Sequence, residues 1–133
     1  MLSKADCRKI KAAVQAGSAF LSFLDTQIKN GNMSTTLYLA DVDPWYNRTV
    51  LSELDLSDGT VCSLAQYGRK NYAFVAEALS LTVSQTRTFG FILPDADYED
   101  EDEYENTERW EYLTAQWRKE IRRLRKVYND SRA

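Results

Sequence analysis

Eight carboxylates stand within eleven positions near the C-terminal end. They are Asp95, Asp97, Glu99, Asp100, Glu101, Asp102, Glu103 and Glu105, interleaved with Tyr98 and Tyr104 and with no base among them. Three chemistries suit such a run. Like charges at this density repel one another and resist packing, so residues 95–105 can form a flexible, solvated acidic loop. They can also act as a polyanion. A groove built for phosphates accepts carboxylates by the same release of counterions, and the two tyrosines offer stacking faces as bases do. Third, carboxylates at 95, 97, 99 and 101 resemble a calcium loop. That loop needs glycine at its sixth place and a bidentate glutamate at its twelfth, where Asp100 and Asn106 stand. No metal site and no cofactor are therefore expected.

A cationic counterpart follows. Arg118, Lys119, Arg122, Arg123, Arg125 and Lys126 crowd one short stretch, threaded by an apolar stripe of Trp110, Leu113, Trp117, Ile121, Leu124 and Tyr128. The stripe has helical spacing. Its simplest role is to close a core with the cations in water. Alternatively Trp110, Trp117, Arg118, Arg122 and Arg125 form a homodimer or partner interface, since Trp, Tyr and Arg dominate binding hot spots. RNA or a membrane surface is a third target for the arginines. The net charge of −3 thus hides a split: about −8 over 95–105 and about +4 after it.

Catalytic residues are scarce. The chain has no histidine, which removes the commonest general base and metal ligand. No glycine-rich phosphate loop, GxSxG or HExxH phrase occurs. A run as polar as 95–105 cannot hold the fixed geometry that acid–base catalysis needs. The reading is not an enzyme. Cys7 and Cys62 form no CxxC pair and are read as two buried thiols of a reducing cytoplasm. No signal peptide or membrane-length apolar stretch is seen, so a soluble cytoplasmic protein with no membrane partner is expected.

The elements that position these groups form one domain over 1–133, with a mainly α fold. Ser3 begins a helix whose apolar face is Ile10, Val14, Gly17, Leu21, Leu24 and Ile28, and Asn30-Gly31 stops it, giving 4–29. Residues 35–42 have strand character as a lone strand or small hairpin. Pro44 suits a short helix over 44–52. Three more short helices are predicted: Thr60–Tyr67, with Asp58 or Thr60 as cap; Tyr72–Leu79; and Val83–Phe89, with Thr82 or Ser84 as cap. The last helix covers about 107–128. Long N- and C-terminal helices therefore enclose a cluster of short ones.

Residues 74–89 also have the rhythm of a helix-turn-helix. Ser80 would be the turn residue, and Gln85, Thr86 and Arg87 would face the bases. Against this DNA-binding alternative, Arg87 is the only cation on the second helix, and phosphate contacts demand a basic surface.

The order of phrases adds a resemblance. P-W-Y-N-R-T-V-L-S-E-L-D-L-S-D is followed by C-S-L-A-Q-Y-G, A-E-A-L-S-L, F-G-F and Y-L-T-A-Q-W-R-K-E-I. Over about two-thirds of the chain this resembles a group of small uncharacterised actinobacteriophage proteins, such as those of mycobacteriophages. Their pattern runs DLDxLDLSD, CxLGQ, LGL, GF and YxxLTxxWRxxI. Ala65 replaces the usual glycine, and residues 30–43 and the acidic run resemble insertions. The group supplies no catalytic residues. The resemblance implies a phage accessory protein working in the cytoplasm of the infected bacterium. Joined to the acidic run, it leads to a non-enzymatic inhibitor. That inhibitor would occlude a host or bacterial defence protein, in one version by presenting a nucleic-acid-mimicking surface to a nucleic-acid-binding target.

Overall fold

The computed structural model describes residues 2–32, 43–94 and 103–132, with side chains from 107 onward in the last stretch. The strand expected at 35–42 lies outside these residues. Among the described residues six helices are formed: α1 (Lys4–Lys29), α2 (Trp45–Arg48), α3 (Ser63–Gly68), α4 (Tyr72–Ala78), α5 (Val83–Thr88) and α6 (Glu103–Ser131). No strand occurs among the described residues, and the fold is mainly α, as the spacing predicts.

α1 begins where Ser3 Oγ accepts the Asp6 N–H at 3.0 Å, which satisfies one of the free donors of the first turn. It ends at Asn30 and Gly31, the latter at φ +71°. Its inner face is Ile10, Ala13, Val14, Gly17, Leu21 and Leu24, widened by the buried Ser18. α6 answers with Leu113, Trp117 and Ile121, all fully buried. The two long helices run parallel, because Asp6 meets Arg109 at 3.5 Å and Gln15 meets Glu120 at 3.5 Å further along both. Two parallel helices cannot share a short turn. The short helices lie in the connection between them and fill the core with Trp45, Leu54, Leu56, Leu64, Tyr67, Val75, Phe91 and Leu93.

The F-G-F phrase lies close against α1 and α6. Gly90 takes φ +65°, where a side chain would strike the backbone of Ala13 and Val14. Its carbonyl accepts the Trp117 indole N–H at 2.7 Å. Phe89 stacks on Phe20 with centroids 4.4 Å apart, and Phe91 stacks on Trp117 at 5.7 Å. This wedge joins α1, α5 and α6 at one point.

Some boundaries differ from the sequence expectation. α2 stops at Arg48 because the Gln66 side chain captures Val50, accepting its N–H at 2.6 Å and donating to its carbonyl at 3.2 Å. α3 is capped by neither Asp58 nor Thr60. Asp58 Oδ1 accepts from the backbone and hydroxyl of Thr60, a local turn, and Cys62 Sγ takes the capping role on the Ala65 N–H. α5 has Thr82 as its cap, in a reciprocal box with Gln85. α6 starts at Glu103, so the last three residues of the expected acidic loop form its first turn. Acidic residues suit that position, since the helix dipole is positive there.

Candidate functional site

Residues 95–102, most of the acidic run, lie outside the described residues, as does the calcium-loop reading that rests on them. What the structure supplies is their two attachments. On one side Phe91 and Leu93 are buried in the core. On the other, Glu103, Tyr104 and Glu105 open α6.

The cations of α6 do not form one surface. Arg118 donates to the Leu51 carbonyl at 3.3 Å and to the Leu54 carbonyl at 2.7 Å. Arg125 donates to the Tyr46 carbonyl at 2.7 Å and to the Thr49 carbonyl. Burial, and then repulsion from Arg122, push the Arg125 guanidinium pKa below its usual range. Arg118 thus satisfies carbonyls of the irregular stretch after α2, and Arg125 those at the end of the short α2. Trp117 is wholly buried. Trp117, Arg118 and Arg125, three members of the expected partner surface, are thus built into the fold. Arg122 remains exposed and Trp110 half-buried. Arg123 grips Glu120 at 2.7 and 3.0 Å, and that pairing holds the guanidinium pKa up.

α4 and α5 follow one another across a short turn, with Ser80 in the left-handed region at φ +57°. The side chains expected to face bases do not form a reading set. Thr86 is 1% exposed and donates its hydroxyl to the Val83 carbonyl at 2.7 Å. Gln85 is exposed, but its Oε1 is tied to the Thr82 N–H at 2.8 Å. Arg87 is half-buried.

Two arrangements were not read from the sequence. The first is a hub at Asp25. Its carboxylate accepts the Trp45 N–H at 2.8 Å, the Tyr67 hydroxyl at 3.1 Å and an Arg48 N–H at 3.4 Å. Trp45 also donates its indole N–H to Ser22 at 3.0 Å. The hub binds α1, α2 and α3. Its only sequence signal is an aspartate beside Leu24 on an otherwise apolar face, together with the P-W-Y-N-R phrase.

The second is a hollow of about 380 Å³ between α6 and the loop that carries Leu54, Asp55 and Ser57. Thr107, Trp110, Glu111, Thr114 and Arg118 form its other wall. Asp55 and Glu111 are exposed, one on each wall. It opens one turn beyond Glu103, beside the end of the acidic run. A further groove of about 510 Å³ lies between Arg48, Val50, Arg69 and Lys70.

Cys62 is buried, and burial pushes its thiol pKa up; Cys7 is half-exposed. Among the described residues no three carboxylates or thiols gather into a metal-binding set, and no helix is long and apolar enough to cross a membrane. No family model, no curated protein and no solved structure matches this chain.

Proposed function

We propose that this chain works by contact, as a phage accessory protein whose acidic run, Asp95 to Glu105, occupies a basic groove of a host or defence protein. A target that handles nucleic acid is the natural one, because its groove already selects closely spaced negative charge. Occupation would inhibit by excluding the nucleic acid.

The observation that carries this reading is where the chain's own cations go. Arg118 and Arg125 are committed to backbone carbonyls, Arg109 to Asp6, and Arg123 to Glu120. Arg122 and Lys126 lie about 28 Å and more along α6 from Glu103, at 1.5 Å per residue. The cations of α6 are thus engaged within the fold or distant from Glu103, which supports a role for the charge of the acidic run in binding another molecule.

The rival, a DNA-binding regulator using residues 74–89, keeps Arg87 but has Thr86 turned into the core. The two readings separate on one matrix. Bacterial lysate passed over the wild-type chain should leave proteins that elute between roughly 0.1 and 0.5 M salt. The same chain with all eight carboxylates changed to amides should retain none of them. Adding the wild-type chain should also displace nucleic acid from the captured protein. Equal retention by the amide variant, with loss of duplex DNA binding on Arg87→Ala, would favour the regulator instead.

A further inference from the structure

We infer that the hollow beside Trp110 receives an arginine side chain of the protein partner. The inference rests on the proposed function, in that the partner must present a basic surface, and it adds the anchor point on that surface.

Three features of the hollow point to this occupant. The first is its aromatic wall. Trp110 is half-buried, so its ring is held by the core while part of it meets solvent. An indole is the best of the aromatic rings for a cation, and a planar guanidinium can lie flat against it.

The second is the placement of carboxylates. Asp55 stands on the loop and Glu111 on α6, so each wall of the hollow contributes one acid. Both hydrogen bonds of Asp55 fall on Oδ1, from the Ser57 N–H at 3.0 Å and its hydroxyl at 2.6 Å. They orient the group and leave Oδ2 open to a donor from outside. Arg118 forms the inner wall, but its guanidinium is drawn onto the Leu51 and Leu54 carbonyls. Two carboxylates against this one guanidinium leave the lining net negative.

The third is rigidity. The loop is pinned to α6 on both sides of Asp55: Arg118 holds the Leu54 carbonyl at 2.7 Å, and the Leu56 N–H donates to Thr114 Oγ at 3.0 Å. The separation of Asp55 from Trp110 is thus set before any ligand arrives, and a preformed pocket loses less ordering entropy on binding. A volume of about 380 Å³ admits one long side chain. A buried aromatic anchor surrounded by charged contacts is the usual anatomy of a hot spot.

The probe is a blocked hexa-arginine peptide, compared with hexa-lysine of equal charge, titrated into the full chain at low salt. Trp45 and Trp117 are sealed in the core, so a change in tryptophan fluorescence reports chiefly on Trp110. The expected result is a saturable fluorescence change with the arginine peptide bound more tightly than the lysine peptide. Trp110→Leu should weaken the arginine peptide about tenfold and abolish the preference. Asp55→Asn combined with Glu111→Gln touches only exposed groups. It should weaken binding similarly, which guards against a folding defect in the Trp110 variant.

Equal affinity for the two peptides, unaltered by either variant but lost when the acidic run is changed to amides, would overturn the pocket and leave the proposed function standing. No binding of either peptide to the wild-type chain would overturn both.

Discussion

Asp25 shows how a single side chain can decide the balance of a small fold. Three donors favour its ionised form, yet desolvation is the larger effect, and the net result is a pKa above the ordinary value near 3.8. A carboxyl whose pKa is higher in the folded state than in the unfolded chain binds its proton more tightly when folded. The resulting stabilisation is fully present below the unfolded value and is lost as pH rises through the folded one. Asp25→Asn keeps the shape and cannot ionise. The stability of the wild type relative to Asp25→Asn should therefore fall as pH is raised from 3 to 7. Urea unfolding of both proteins at several pH values measures it, and a difference that grows with pH would show that Arg48 and the two hydrogen bonds outweigh burial. The Arg48 side chain is itself only 6% exposed, so it has little water to fall back on if Asp25 is removed.

Between elements, α1 fits closely against the F-G-F wedge and α6. A Cβ at position 17 would overlap the Phe89 carbonyl oxygen and come within 2.9 Å of the Trp117 ring. Alanine is the better helix former by about 1 kcal/mol, but here the obstacle is backbone and cannot rotate away. Gly17→Ala should lower stability by about 2–3 kcal/mol, the upper part of the range for overpacked cores. Chemical denaturation would register this as a shift in midpoint at constant slope; an unchanged midpoint would mean the wedge is loose. The sequence reading placed Gly17 on the inner face because helical period is a local signal. For the same reason α1 was legible to the residue, from its apolar stripe and its Asn30-Gly31 stop. The start of α3 was not, since Asp58 and Thr60 look like caps until they bond each other. The site was less legible still. Period locates Trp110 and Trp117 on one stripe but not their depth, which for Trp117 is decided by Phe91 and Gly90, 26 and 27 positions away. Nor could charge alone show that Arg118 and Arg125 face carbonyls 64 to 79 positions earlier. Long-range contacts set which polar groups remain for a partner, and only the chain's exposed remainder is available to function.

At the scale of the whole molecule, α6 is a rod of 29 residues, about 43 Å long, with acids at its start and exposed cations towards its end. Glu103 and the exposed Arg122 lie about 28 Å apart along it, more than twice the screening length of about 10 Å at 0.1 M salt. Attraction along the helix does little to relieve the mutual repulsion of eight carboxylates held in sequence. That repulsion acts against the compact state, and salt relieves it. Changing Asp95, Asp97, Glu99, Asp100, Glu101 and Asp102 to amides should leave the melting temperature unchanged or raise it by a few degrees at low ionic strength. The gap should close at roughly 0.5 M salt, where the screening length falls to a few ångströms. Thermal unfolding of both proteins across a salt series checks it. A charge segment kept for an external partner should behave in this way, costing the isolated fold a little and contributing nothing to its core. If the amide variant instead melted more than about 4 °C lower, on the order of 1 kcal/mol for a domain of this size, the carboxylates would be holding native contacts with the helical body. The polyanion would then be part of the scaffold, and the partner-binding role would pass to the surface around Trp110 alone.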